Sequence, residues 1–396
     1  MKELIEELYL TNRGFVTDDY QKCLDYIDEN ELELTYHKFQ SGREIWESWV
    51  IPKKWIVDHA YVETKEERLL SFADHPLHLI SYSDSYQGWV PREELLDHIH
   101  THSENPRAIP WHFRLNYRPW DSEWGFCASQ EFVDSLDRQE YYVSIDTTFE
   151  EGEMIVAEHH LPGNSDETIV LMAHLDHTGM ANDDLSGVAA GIEVMRRLQE
   201  LPDRRYSYKF LIVQEMTGSA AYLEEFSNRA SDFIYSIFLE MLGNDNRLLL
   251  QRTFHGNSKL DAVAKRVFET SISDFEVDGF RSQIGNDELI LESPGYEIPT
   301  ISLLRGPYPE YHTHFDDPSI IDEEQLEEAV SYILNIIDIF ERDFVPIRDF
   351  RGIPSLANPK YDRYLDPNEL PNVEIGREGK LDSFRKRVFR QFDTDR

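Results

Sequence analysis

The sequence predicts an α/β protein: a mixed, largely parallel sheet flanked by helices, with a β-rich module inserted near the N-terminus. Three observations carry this. From about residue 151, apolar β-branched runs alternate with helical stretches, as in ETIVLMAHL, SGVAAGIEVMRRLQEL, YKFLIVQE and FIYSIFLEM. Such alternation is the pattern of parallel strands joined by crossover helices. Between about 32 and 145 the runs are short and aromatic, as in LELTYHKF, WESWVI, WIVDHAYVE and HLISYS, and turn residues separate them, which marks β-structure with closely spaced reversals. Ahead of both, residues 1–30 read as two helices, the second over Asp19 to Asp28 with Tyr20, Cys23, Leu24 and Ile27 at helical spacing.

The remaining elements follow the same rules. One helical stretch near Pro91–His100 falls inside the β-rich region, and another helix is expected near 219–229. A long helix over about 322–342 carries Leu326, Ala329, Val330, Ile333, Ile336, Ile337 and Phe340 as its buried stripe. After Phe344 the chain turns Pro-, Arg- and Asp-rich, which predicts an extended tail. The implied division is an α/β domain built from 1–31 and 146–345, an inserted module over 32–145, and a tail over 346–396.

Composition narrows the function. With 396 residues, 40% hydrophobic and 12% aromatic, the chain can bury a sizeable core. A net charge of −37 repels a polyanion over most of the surface, which excludes nucleic acid as a partner. The bias of 27 Arg against 12 Lys, with the acidic excess, resembles proteins of salt-accumulating cells. MKELIEELYL has no basic or apolar leader character and no window approaches 18 uncharged apolar residues, so a soluble, cytoplasmic protein without a membrane partner is expected. Cys23 and Cys127 are far apart and outside any CxxC spacing, so any metal must be held by His and carboxylates.

Such residues recur at strand ends, where ligands gather in open α/β sheets. His174, Asp176 and His177 close the run ETIVLMAHL; Asp183 and Asp184 precede a helix opened by Ser186 and Gly187; Glu215 and Glu240 end two nearly apolar strands. A carboxylate finishing an apolar strand is costly to bury unless paired or metal-bound. His312 and His314 lie in PEYHTHFDD, and imidazole with carboxylate suits zinc where thiolates are absent.

Taken in order, HLD, ANDDLSG, QE followed by GS, LEMLG and YHT resemble the zinc aminopeptidases with a co-catalytic metal pair, the zinc exopeptidase clan that also holds glutamate carboxypeptidase and glutaminyl cyclase. AIPWHFRLNYRPWDSEWGFC, MANDDLSG, QEMTGSAAYL and LLRGPYPEYHTHFDDP resemble more closely a prokaryotic group of aminopeptidase-like proteins with a β-rich module near the N-terminus. The resemblance spans about residues 1–365. It implies a zinc exopeptidase fold, His174, Asp183, Glu240 and His312 as zinc ligands, Asp176 orienting His174, and a cis peptide between Asp183 and Asp184. The family's adjacent acids are replaced here by Gln214-Glu215-Met216. If Glu215 matches the first acid it is the general base and Met216 stands where a ligand belongs; if it matches the second, Gln214 cannot act as base. The acid-to-glycine spacing favours the first alignment, and one or two zinc ions are compatible with the set.

The activity so implied is zinc-dependent hydrolysis of an amide bond, by an aminopeptidase acting on small peptides or amino-acyl conjugates. The alternatives are deacylation of a glycan precursor and a metal-free binding protein on the same fold. Asn286, Asp287 and Glu288 are candidates to receive a substrate ammonium, and Arg305 to clamp a substrate carboxylate.

Overall fold

The computed structural model describes residues 1–271 and 275–345, with 347, 351–352, 355 and 358–360. Eight of its strands form one sheet, in the order Thr35–Gln40, Glu153–Leu161, Ser207–Val213, Thr168–His174, Phe233–Glu240, Thr300–Leu304, Leu248–Gln251 and Phe275–Asp278. The middle four run parallel, while Thr35–Gln40, Glu153–Leu161 and Leu248–Gln251 join by antiparallel pairing. Thr168–His174 and Thr300–Leu304 are buried at every residue. That burial is why their sequences are continuously apolar rather than alternating.

Alternate residues of these strands feed two cores. Ile169, Leu171, Phe210, Ile237 and Leu303 face helices Lys2–Leu8, Asp18–Asn30, Gly187–Gln199, Lys259–Ser271 and Glu323–Arg342. On the other face Val170, Met172, Leu211, Val213 and Phe238 pack with helix Thr217–Glu225 and with the β-rich region, through residues such as Trp55, Val62 and Val143. Thr17 caps helix Asp18–Asn30 by accepting from the Tyr20 N–H, a placement typical of Thr at this position.

The β-rich region is a four-stranded antiparallel sheet, Arg68–Ser71, Lys54–Glu63, Glu140–Glu150 and Tyr86–Pro91, with two short two-stranded pairs. Its membership differs from the 32–145 span. Thr35–Gln40 pairs into the large sheet instead, because Phe39 is buried in the core between the layers. HLISYS forms a single bridge, Leu79 to Phe126, since its Ile80 and Ser81 N–H groups bond to loop carbonyls of Gly125 and His112.

Glu158 ties the sheet edge together. Its carboxylate lies 3.1 Å from His37 Nε2 and accepts from Lys209 Nζ (2.6 Å) and the Tyr222 hydroxyl (2.5 Å). Burial opposes its charge, but the bonds from His37, Lys209 and Tyr222 prevail and bring its pKa down to about 2. Both sheets lie in one compact unit, Met1–Glu341; a second unit spans Arg342–Arg396. The expected tail over 346–396 falls mostly outside the described residues. Among those residues no helix is long and apolar enough to cross a membrane.

Candidate metal centre

The parallel strands bring three acids and bases to one end of the sheet. His174 closes Thr168–His174, Glu240 closes Phe233–Glu240, and Glu215 follows Ser207–Val213 by two residues. Asp183 stands between histidines. Its Oδ1 is 3.1 Å from His174 Nε2; its Oδ2 is 3.2 Å from His312 Nε2 and 3.7 Å from His177 Nε2. His174, His177, Asp183 and Glu240 are buried, whereas the His312 side chain keeps 21% exposure and marks the open side. The Asp183–Asp184 peptide is cis, as the resemblance implies.

Backbone bonding fixes the loop that carries Asp183. Asp316 accepts from the N–H groups of Ala181 (3.2 Å), Asn182 (2.6 Å) and Asp183 (3.1 Å). Arg13, fully buried, donates to the carbonyls of Leu175 (2.8 Å), His177 and Met180 (2.8 Å). Buried backbone groups need such partners, and here they also hold the site rigid. Asp184 is structural: its Oδ1 accepts from Gly187 N–H (3.0 Å) at the next helix and from Met241 N–H (2.9 Å). A Cβ at Gly187 would fall 2.6 Å from the Leu239 carbonyl, so glycine is required for this approach.

The remaining predicted residues are distributed unevenly. Glu240 is buried and accepts from Asn286 Nδ2. The Glu215 carboxylate accepts from the Tyr117 hydroxyl, and its N–H donates to Asp176 Oδ1 at 2.7 Å. Burial pushes the Glu215 carboxyl up and brings Asp176 to about 8. Asp176 therefore positions Glu215. The carboxylate facing His174 Nδ1 is Asp287, at 3.5 Å, which corrects the expected pairing of Asp176 with His174.

The residues expected to bind substrate are engaged elsewhere, Asn286 by its bond to Glu240. Asp287 Oδ1 accepts from Met216 N–H (2.8 Å) and from the Ser219 hydroxyl. Glu288 is buried, accepts from the Asn286 N–H and lies 3.3 Å from Arg281 Nε. Arg305 is also buried, its guanidinium spent on the carbonyls of Leu242, Asn246 and Gln325 and on Glu328. With its donors so taken, Arg305 is a structural residue and not a substrate clamp.

Sequence reasoning assigned no role to the cover of the site. Segment 109–117 is stitched to the His312 loop by bonds from His314 N–H to the Ile109 carbonyl (3.1 Å) and from Trp111 N–H to the His312 carbonyl (2.9 Å). The Trp111 ring centroid lies 4.4 Å from that of His177 and 5.0 Å from that of His312, and Phe113 lies 5.3 Å from His312. The signal was the aromatic density of AIPWHFRLNYRPW, which does not say what the rings cover. The cleft of about 380 Å³ lined by Ile51, Tyr82, Leu115, Trp120 and Phe149 contains none of His174, His177, Asp183, Glu215, Glu240 and His312, so chemistry rather than volume marks the site.

The donor set fits zinc. Two ligand atoms on a tetrahedral zinc with bonds of about 2.0–2.2 Å lie roughly 3.3 Å apart, close to the separations at Asp183. Asp183 Oδ2 and His312 Nε2 are buried atoms without a hydrogen-bond partner. Burial, together with Asp183, Asp184 and Glu288, pushes Glu240 well above the usual carboxylate range, and a cation relieves such crowding.

The chain is similar in sequence and fold to known proteins. A Clostridium acetobutylicum protein, named for polysaccharide biosynthesis and an aminopeptidase-like domain, is 29% identical over 343 residues, 86% of this chain and 77% of its own. A crystal structure described as a peptidase from the same species superposes with TM-score 0.81 at 29% identity, covering 86% of this chain and 79% of that one. A zinc aminopeptidase from Bacillus subtilis shares the fold, with TM-score 0.61 at 14% identity over 86% of this chain and 93% of that one. The peptidase-like architecture is thus shared across distant sequences. The model of the family described as "Domain of unknown function (DUF4910)" matches residues 2–343, and the chain belongs to that family.

Proposed function

We propose that the chain is a zinc-dependent hydrolase of amide bonds, an aminopeptidase of the zinc exopeptidase clan acting on small peptides or amino-acyl conjugates. The observation that carries this is Asp183, one buried carboxylate with its two oxygens facing His174 on one side and His312 on the other, beside Glu215. His174, Asp183, Glu240 and His312 would hold the metal. Zinc, when bound, polarises an amide carbonyl and acidifies water.

The chain's own residues do the rest. Glu215 takes a proton from water and returns it to the leaving amine, a role that suits a carboxyl whose pKa burial has raised. Tyr117 and Asp176 hold it in place. Asp287 lies 3.5 Å from His174 Nδ1, on the side where an acceptor behind a ligating histidine stands. Trp111 and Phe113 keep bulk water from the buried side, which strengthens every charge interaction inside.

A second reading, deacylation of an amino sugar or a surface-glycan precursor, draws on the name of the Clostridium acetobutylicum relative and on the latitude of chemistry one fold allows. Zinc-loaded protein assayed side by side on aminoacyl-anilides and N-acyl sugars separates the two. Turnover of the anilides is expected. Fully loaded protein that cleaves neither class overturns the catalytic reading in favour of a binding protein.

A further inference from the structure

Met216 follows Glu215, its N–H given to Asp287 and its thioether side chain packed, partly buried, against the core shared with the β-rich region. A thioether is a poor partner for zinc beside carboxylate and imidazole. The side of Asp183 nearest His312 therefore lacks an acid from this segment. What it has is His177. Its Nε2 stands 3.7 Å from Asp183 Oδ2, the same oxygen that His312 Nε2 approaches at 3.2 Å.

His177 is held in that position from every direction. Its carbonyl accepts from Arg13, its ring stacks on His174 with centroids 4.4 Å apart at 27°, and Trp111 covers it. The side chain is 2% exposed and its Nδ1 has no hydrogen-bond partner. A buried imidazole with so little hydrogen bonding is costly as a mere packing residue. His174, His177 and Asp183 also present ligand atoms within 4.8 Å of one another.

Resting on the metal reading above, we infer that His177 is a metal ligand, completing with His312 and Asp183 Oδ2 a second metal position across the shared carboxylate from His174 and Glu240. The loop HLDH thus supplies one ligand to each position, and the chain binds two ions although Met216 contributes nothing.

The test is metal stoichiometry by elemental analysis, on full-length protein equilibrated with zinc and then freed of loose ions. His177→Ala removes the ligand; His177→Phe removes it while keeping a ring against Trp111 and His174, so it serves if the alanine variant fails to fold. Two equivalents are expected for the wild type, and one for each folded variant, because a position that loses one of three protein ligands no longer retains its ion. Cobalt substitution gives a second readout: half of the visible absorption should be lost with His177. Folded variants that keep two equivalents overturn the inference. A wild type that binds one equivalent overturns it whatever the variants do and leaves the metal reading standing, whereas a wild type that binds none overturns both.

Discussion

Two regions meet at the site and build it from opposite kinds of residue. The large sheet contributes charge: His174, Glu215 and Glu240 at or just past the ends of parallel strands, and Asp183 on a loop pinned by Asp316 and Arg13. The β-rich region contributes Trp111, Phe113 and the Tyr117 hydroxyl from a segment without regular strands. The first region places ionic groups where backbone geometry is rigid; the second governs their exposure to water. The difference suggests that the two can be damaged separately, one losing chemistry and the other losing enclosure.

The largest expected effect tests the charged side. Glu215→Gln should lower kcat by roughly 10²–10⁴-fold with zinc content intact, the usual worth of a positioned proton-transfer group. If metal content falls instead and added zinc partly restores turnover, Glu215 is a ligand, and the alignment that makes it the base is wrong.

Next comes the cover. Trp111→Ala removes a buried indole whose Nε1 donates to Ser81, and a deletion of this kind costs about 3–5 kcal/mol. Urea unfolding should show the loss, and KM should rise because the His312 loop is no longer backed. Unchanged stability and KM together would mean that the two regions do not cooperate.

A control lies near the edge of the large sheet, outside the residues assigned to the site. Glu158 has its pKa brought from 4.5 to about 2, so Glu158→Gln should cost up to about 3 kcal/mol at pH 7. Because the folded-state value is the lower one, this stability is present above about pH 4.5 and fades as pH falls towards 2. Denaturant curves of wild type and variant should therefore converge on acidification, while turnover at neutral pH stays as it was. A stability gap that does not vary with pH would rule out an ionised Glu158 as its source.

The smallest effect sharpens the boundary between the regions. Tyr117→Phe removes one hydrogen bond from the β-rich side to the Glu215 carboxylate, worth about 1.5 kcal/mol at the low end for a charged acceptor, or roughly tenfold in kcat. Stability to unfolding should fall by no more than about 1.5 kcal/mol. A kcat equal to wild type would show that Asp176 alone suffices to hold Glu215.

Much of the sheet-built half was legible in the sequence, and for a physical reason. Strands buried on both faces must be continuously apolar, so the acids and histidines that end them stand out, as His174 and Glu240 do. The helix found at Glu323–Arg342 declares itself through an apolar stripe of the same kind. What stayed hidden depends on groups far apart in the chain. Asp287 faces His174 from 113 residues away, and Arg305 finds its acceptors in the loop after Glu240 and in helix Glu323–Arg342. Residue type suggests a charged group on the surface, yet both are buried and paired. Helix Lys259–Ser271 was not anticipated. The aromatic cover was visible as composition only, since spacing cannot say which histidine a tryptophan will lie against.

Arg13 has a consequence for how the molecule comes into being. Its donors reach Leu175 and Met180, 162 and 167 residues further along the chain. During synthesis Arg13 emerges well before its acceptors, which arrive only after the first three of the large sheet's eight strands have been made. Contacts so distant in sequence are slow to form, because loop closure must be met before they reward it. The loop bearing His177 and Asp183 is therefore expected to lock late. A chain without Arg13 would leave three buried carbonyls without a partner, which ties the integrity of the site to the segment between the first two helices.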